Sequence, residues 1–308
     1  DIDTLNMRHI KVTIGIPTYE AGESLLITLR SIFNQSALKK IKKVIVAVDG
    51  KRINKSFFEE FNKDVLEVKH FSVRKGQAGR INDLMRACDT DFLILTNDDI
   101  VLEEHAVERM IIEFRRSNAD LIAGIVKSLN PVTPFEKALE LGVKLNNKIA
   151  NKWNRGDNYL SANGRFMGIS KKLYSSIRLP EQLWNNDAYF YLFAKTNGLT
   201  FGRAVRAVAY FKSPHTLEEH LKQSKKFQNS RQENQLYFKS DIGAFYKIPL
   251  KLQLQMFPIA LIENPYSFAI YLLTFIFTRI DNIMNKKVLH KAGFWPTDVS
   301  TKMLRFFM

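Results

Sequence analysis

A single cysteine, Cys88, is all that 308 residues contain. No intrachain disulfide can form, and a cysteine-based zinc site is excluded. Cys88 follows Leu84 by four residues on an apolar helical stripe, which reads as a buried free thiol. The first ten residues lack the apolar core of a signal peptide, so a reducing, cytosolic setting is expected. No internal repeat and no low-complexity linker interrupts the sequence. Acidic residues are the minority charge: 31 Asp+Glu against 46 Lys+Arg leave a formal net charge of +15. Long apolar runs are scarce. The longest clean one, residues 266–278, is 13 residues, roughly 20 Å of helix against a hydrocarbon core of ~30 Å.

What is present is an ordinary globular composition, 45% hydrophobic and 25% charged. It excludes disordered, collagen-like and disulfide-scaffold classes. The charge surplus and the 23 Phe point to anionic partners: nucleic acid, acidic lipid or phosphorylated small molecules. Nucleic acid is disfavoured, because no recognition module and no interleaving of basic and aromatic residues is found.

Up to about residue 127, strand and helix patterns alternate as in a doubly wound α/β sheet. Residues 12–16 and the continuous apolar run VIVAV at 44–48 read as strands, the second covered on both faces. Residues 65–73, 92–95 and 121–126 read as further strands. Leu25, Leu29 and Ile32, then Phe57, Phe58 and Phe61, then Ile81, Leu84 and Met85, recur at helical spacing. Beyond residue 127 the rhythm breaks. Helices are expected over 135–151, 187–196 and 217–233, with a strand over 203–211. From residue 250 to 279 the chain turns largely apolar, broken by Pro258 and by Glu263-Asn264-Pro265 and flanked by Lys247, Lys251, Arg279, Lys286, Lys287 and Lys291. That pattern predicts helices lying in an anionic membrane interface, with a buried interface or a true span as alternatives.

Four polar clusters fall at expected strand ends, where α/β folds bind their ligands. Pro17-Thr18-Tyr19-Glu20 follows the first strand, and Asp49-Gly50 ends the second. The segment from Gly76 through Gly79 and Arg80 opens a helix whose free N–H groups would suit phosphate. Asn97-Asp98-Asp99 ends a buried strand, with a carboxylate pair of the kind a hard divalent cation takes. Singly, each also reads as a turn or a helix cap.

In order and content, these clusters resemble glycosyltransferase family 2, inverting enzymes with a GT-A fold. IGIPTYEAGESLLITLRSIFNQ is similar to the family's opening strand, turn and helix, and VIVAVDG to its nucleobase-contacting segment. RKGQAGRINDLM resembles the glycine segment of the cellulose, chitin and hyaluronan synthases, and FLILTNDDIVL lies where an Asp-x-Asp metal motif stands. Asn186-Asp187 corresponds to the Glu-Asp that holds the catalytic base, and the segment from Gln223 to Lys226 and Phe227 to Gln-x-x-Arg-Trp. Thr96 stands in place of the first metal-motif Asp, and Asn186 in place of the carboxylate before the base.

The resemblance implies a Rossmann-like nucleotide-diphospho-sugar transferase: a mixed sheet flanked by helices over 1–238, with a nucleotide half (10–127) and an acceptor half (128–238). Residues 239–308 would be a C-terminal apolar helical appendage. It implies Asp187 as base, and Pro17, Thr18, Tyr19, Glu20, Asp49, Gly76, Gly79, Arg80, Asn97 and Asp98 around the donor. Gln223, Lys226 and Phe227 would face the acceptor and diphosphate. Mg²⁺ or Mn²⁺ is expected on Asp98, Asp99 and His215. The donor would be a nucleoside diphosphate sugar, with uridine favoured. The acceptor would be a glycan or a lipid-linked hydroxyl at the cytoplasmic face of a membrane, and an oligomer is possible. A nucleotidyltransferase, or a non-catalytic member that binds nucleotide-sugar or acidic lipid, stays open beside this reading.

Overall fold

The computed structural model describes residues 10–19, 22–50, 53–284 and 300–304. Glu20 and Lys286, Lys287 and Lys291 lie outside the described residues, as does the side chain of Lys226.

Eight strands form one sheet: β1 (Val12–Thr18), β2 (Ile41–Asp49), β3 (Leu66–Phe71), β4 (Phe92–Thr96), β5 (Ile100–Leu102), β6 (Leu121–Ser128), β7 (Phe166–Ser170) and β8 (Phe201–Phe211). Their order is β3-β2-β1-β4-β7-β6-β8-β5. The first four are mutually parallel, and β7 runs antiparallel between β4 and β6. The sheet is therefore mixed.

Its continuous apolar strands are explained by cover on both faces. Along β2, Val44, Val46 and Val48 enter one core cluster, while Ile45 and Ala47 enter the other. Helix α1 (Glu23–Phe33) lies on the first face, and α2 (Gly76–Ala87) lies on the second. In β7, Gly168 sits directly under the Phe92 ring, where a methyl group would overlap the ring. Phe166 and Met167 fill opposite cores beside it.

Further helices are α3 (Ala106–Ser117), α4 (Pro134–Lys152), α5 (Lys171–Ser176), α6 (Asn186–Thr196), α7 (Leu217–Gln228), α8 (Ser230–Gln235), α9 (Leu250–Glu263) and α10 (Pro265–Met284). A capping box starts α4: Thr133 Oγ1 accepts from the Glu136 N–H at 3.1 Å, and Glu136 Oε2 accepts from the Thr133 N–H at 3.0 Å.

Three expectations change. The helix expected around Phe57–Phe61 is one 3₁₀ turn, Lys55–Phe58. The helix expected over 217–233 breaks at Asn229. The apolar run of 13 residues belongs to the 20-residue helix α10, ~30 Å long, so length does not argue against a span. Among the described residues α10 is the one helix long and apolar enough to cross a membrane. Pro258 lies inside α9 without ending it, whereas Asn264 is extended and separates α9 from α10.

Candidate functional site

The carboxyl ends of β1 and β4, the entry to β7 and the first turn of α6 surround one pocket. Pro17, Gln77, Leu95, Thr96, Asn97, Gly164, Met167, Asn186, Asp187 and Phe190 line it. Polar groups from Gln77, Thr96, Asn97, Asn186 and Asp187 converge there against the apolar side chains of Leu95, Met167 and Phe190, and such convergent groups set a pocket's chemistry.

Asp187 is placed by a division of labour at the start of α6. Asn185 is the N-cap, its side chain accepting from the Ala188 N–H at 3.2 Å. Glu233 in turn takes the N–H groups of Trp184 and Asn185 at 2.7 and 3.1 Å. The N-cap role is thus filled by Asn185 rather than Asp187, whose carboxylate has no hydrogen bond or ion pair among the described residues. Gly164 packs against that carboxylate so closely that a Cβ there would overlap it. Asn186 beside it is 2% exposed, and neither its Oδ1 nor its Nδ2 has a partner among the described residues. A buried amide without partners costs about 1–3 kcal/mol per group. Such a group in a pocket wall is suited to a ligand hydroxyl.

The clusters at β2 and α2 are different. Asp49 accepts the N–H groups of Lys75 and Gly76, both at 2.8 Å, and pairs with Arg80 Nε at 2.9 Å. The N–H groups expected to cradle a phosphate therefore cap α2 with a carboxylate from β2. Arg80 is 1% exposed. It also pairs with Asp83 at 2.7 Å, donates to the Val73 carbonyl at 2.9 Å, and lies over the Phe71 ring at 3.9 Å. It is a buried brace, and the expectation of a fixed charge for a diphosphate is corrected accordingly. Gly76 adopts a φ of 75°, the left-handed conformation that favours glycine at this turn. Gly79 lies within α2, where a Cβ would overlap the Lys75 side chain. The Tyr19 ring lies under the Arg74 guanidinium at 3.9 Å. Gln77 donates to Asn97 Oδ1 at 3.2 Å, joining α2 to the end of β4.

The metal set expected on Asp98, Asp99 and His215 is not assembled. Among the described residues no three of His, Cys, Asp and Glu come together as a metal site. Thr18 donates to Asp98 Oδ2 at 2.5 Å, and the Lys302 ammonium pairs with Asp98 Oδ1. Thr96 donates to the Arg165 carbonyl at 2.7 Å. Asp99 Oδ1 is buried without a partner among the described residues. Burial pushes the Asp99 carboxyl upward, opposed by the charges of Lys302 and Arg165 and reinforced by Asp98. His215 turns instead to the buried Glu136, 3.5 Å away, which also holds Lys212 at 3.0 Å. A hard divalent ion takes about six oxygens with matching negative charge, and these residues do not fit one.

Of the acceptor candidates, neither Gln223 nor Phe227 lines the pocket, and Phe227 is half exposed on α7. That helix is tied to α10 by Gln228, which donates to the Thr278 carbonyl at 3.2 Å, and by Lys225 with Asp281 at 3.6 Å. Gln77, Gly164, Asn186 and Lys302 were not singled out as site residues from the sequence. The signal for Asn186 was its place next to Asp187. Lys302 had none, being over 200 positions from its partner.

A family model described as Glycosyl transferase family 2 matches residues 13–177. No curated protein matches the chain. Among solved structures, the mannosyltransferase PcManGT from Pyrobaculum calidifontis, in complex with GDP-Man and Mn²⁺, is similar at a TM-score of 0.56 and 12% identity. The alignment covers 88% of this chain and 75% of that one.

Proposed function

The chain belongs to glycosyl transferase family 2, and from that membership we propose an inverting transfer from a nucleoside diphosphate sugar to an acceptor hydroxyl, with Asp187 as base. The fold is that of a GT-A transferase, and the chain is a glycosyltransferase.

One observation carries the proposal: Asp187 lines the pocket as a carboxylate without a partner among the described residues, beside Asn186, whose buried amide also has none among them. An acceptor hydroxyl is a weak nucleophile until a base takes its proton in the transition state. Asp187 takes that proton as the acceptor oxygen bonds to the sugar's anomeric carbon. The bond to the diphosphate breaks on the opposite face, and the electron pair leaves with the nucleotide. One displacement inverts the anomeric centre. The Asn186 amide holds a sugar hydroxyl of the reacting pair. Pro17 and Asn97 line the donor side.

Uridine diphosphate sugars are the favoured donors, with GDP-mannose beside them because the similar mannosyltransferase was solved with it. The acceptor is a glycan or lipid-linked hydroxyl at an anionic membrane surface on the cytoplasmic side. Leu250, Leu254, Phe257, Leu261, Phe277 and Ile280 are exposed along α9 and α10. Their other faces pack on α4 through Leu141, Leu145, Met256 and Ala260. Lys148 of α4 pairs with Glu263 at the end of α9, and Thr278 and Asp281 near the end of α10 bind α7. Helices tied to the domain in this way lie along a bilayer interface more readily than they cross one.

Incubation with GDP-mannose and UDP-sugars, read by nucleoside diphosphate release and by the anomeric configuration of the product, tests the proposal. Release with an inverted product is expected. A retained configuration, or no release from any donor in the presence of membranes, would overturn it.

A further inference from the structure

The residues at the end of β4 are a poor seat for a divalent cation, yet one cation is already there. The turn Ser300–Lys302 carries it in from the far end of the chain. Leu304 is 1% exposed and anchors the turn in the protein. Ser300 donates to Glu219 and accepts from the His215 N–H at 3.3 Å, so the turn is also hydrogen-bonded to the segment that enters α7. Lys302 then pairs with Asp98, and both side chains are more than three-quarters buried. Thr18 holds the other oxygen of Asp98 at 2.5 Å, and Thr96 supplies a hydroxyl where a second carboxylate would be needed. Asp98 is already paired with an ammonium, and burial pushes the neighbouring Asp99 carboxyl toward its neutral form, so little negative charge remains to attract a divalent ion.

Resting on the donor reading above, we propose that Lys302 is the resident cation of the donor site. Its ammonium binds the diphosphate at Asp98 and takes up the charge that grows there as the sugar leaves. Lysine suits this role as a compact, strongly hydrated charge with three rotatable donors. Held in place beforehand, such a charge stabilises a leaving group without reorganisation. Arg165, whose charge also acts on Asp99, adds to the positive potential there.

Calorimetric titration of UDP and GDP into the full chain, in EDTA and in MnCl₂, tests this directly. Wild type is expected to bind at least one of them in EDTA within about threefold of its affinity in Mn²⁺. Lys302→Ala is expected to weaken binding in EDTA by about tenfold or more, and Lys302→Arg to restore most of it. Unchanged binding by Lys302→Ala would overturn the inference. So would a wild type that binds only with Mn²⁺, or an alanine variant that binds Mn²⁺ and nucleotide more tightly, the mark of a tail that plugs the site. In those cases the donor reading stands. If wild type binds neither nucleotide in either condition, the donor reading falls and the inference with it. The comparison of EDTA with Mn²⁺ needs no variant, so poor folding of Lys302→Ala does not remove the test.

Discussion

Asp49 and Asp187 both border the carboxyl edge of the sheet, and their surroundings differ in kind. Asp49 takes two backbone N–H groups and the guanidinium of a fully buried arginine. Asp187 takes nothing from the described residues, and the amide beside it is buried with both ends unpartnered. A fold normally satisfies its buried polar groups. A strand-end carboxylate that is satisfied therefore belongs to the architecture, while one left unsatisfied beside an orphaned amide is available to a ligand. The two sites give the same cue in sequence, an Asp at the edge of a predicted element, and only the partners separate them.

The comparison can be broken at four points. Asp49→Ala should cost about 3–5 kcal/mol of unfolding free energy in denaturant titration, because it leaves Arg80 buried with half its pairing gone. A loss below about 1 kcal/mol would mean that the buried pair is not architectural. Gly164→Ala pushes a methyl group into the Asp187 carboxylate. Turnover should fall by about 10²-fold while nucleotide affinity stays within about threefold, since a displacement near 1 Å at a reacting group has that effect. Equal loss of binding would place Asp187 in donor recognition instead.

Asn186→Leu removes the orphaned amide at similar volume. The unfolding free energy should rise by about 1 kcal/mol as transfer falls about tenfold, the exchange expected of a group kept for its ligand. A destabilised variant with intact activity would reverse the assignment. Glu136 gives the smallest expected change in turnover. Burial alone would raise its carboxyl, but the Thr133 N–H, Lys212 and the Val132 N–H outweigh burial and hold it below its ordinary 4.5. Its contribution to stability is therefore complete above pH ~4.5 and lost as pH falls through the lower folded value. In Glu136→Gln that part of the acid sensitivity should disappear from pH-dependent melting curves, while turnover above pH 6 stays the same.

Much of the frame was legible. The apolar runs of β1, β2, β4 and β6 supply buried residues to the two cores, and the helical pattern expected over 135–151 falls within α4. The antiparallel β7 was not, because Gly168 interrupts its five-residue run and Gly164 stands just before it. Those glycines are needed for close approach, one to Asp187 and the other to Phe92. The three-residue β5 is too short to show a period and is held by pairing with β8. Within the site, Asp187 was legible through the family resemblance, since its sequence context alone reads equally as a helix cap. The tie between Asp49 and Arg80 was not, since it is made across 31 residues by tertiary packing. Nor was Lys302, whose partner lies 204 residues away.

Turnover of Asp187→Asn, measured beside its nucleoside diphosphate affinity, tests the central claim most directly. The amide keeps the shape of the carboxylate and removes its basicity. Nucleoside diphosphate release should fall by about 10²–10⁴-fold with nucleotide affinity within about threefold of wild type. Release within about threefold of wild type would contradict the assignment of Asp187 as base.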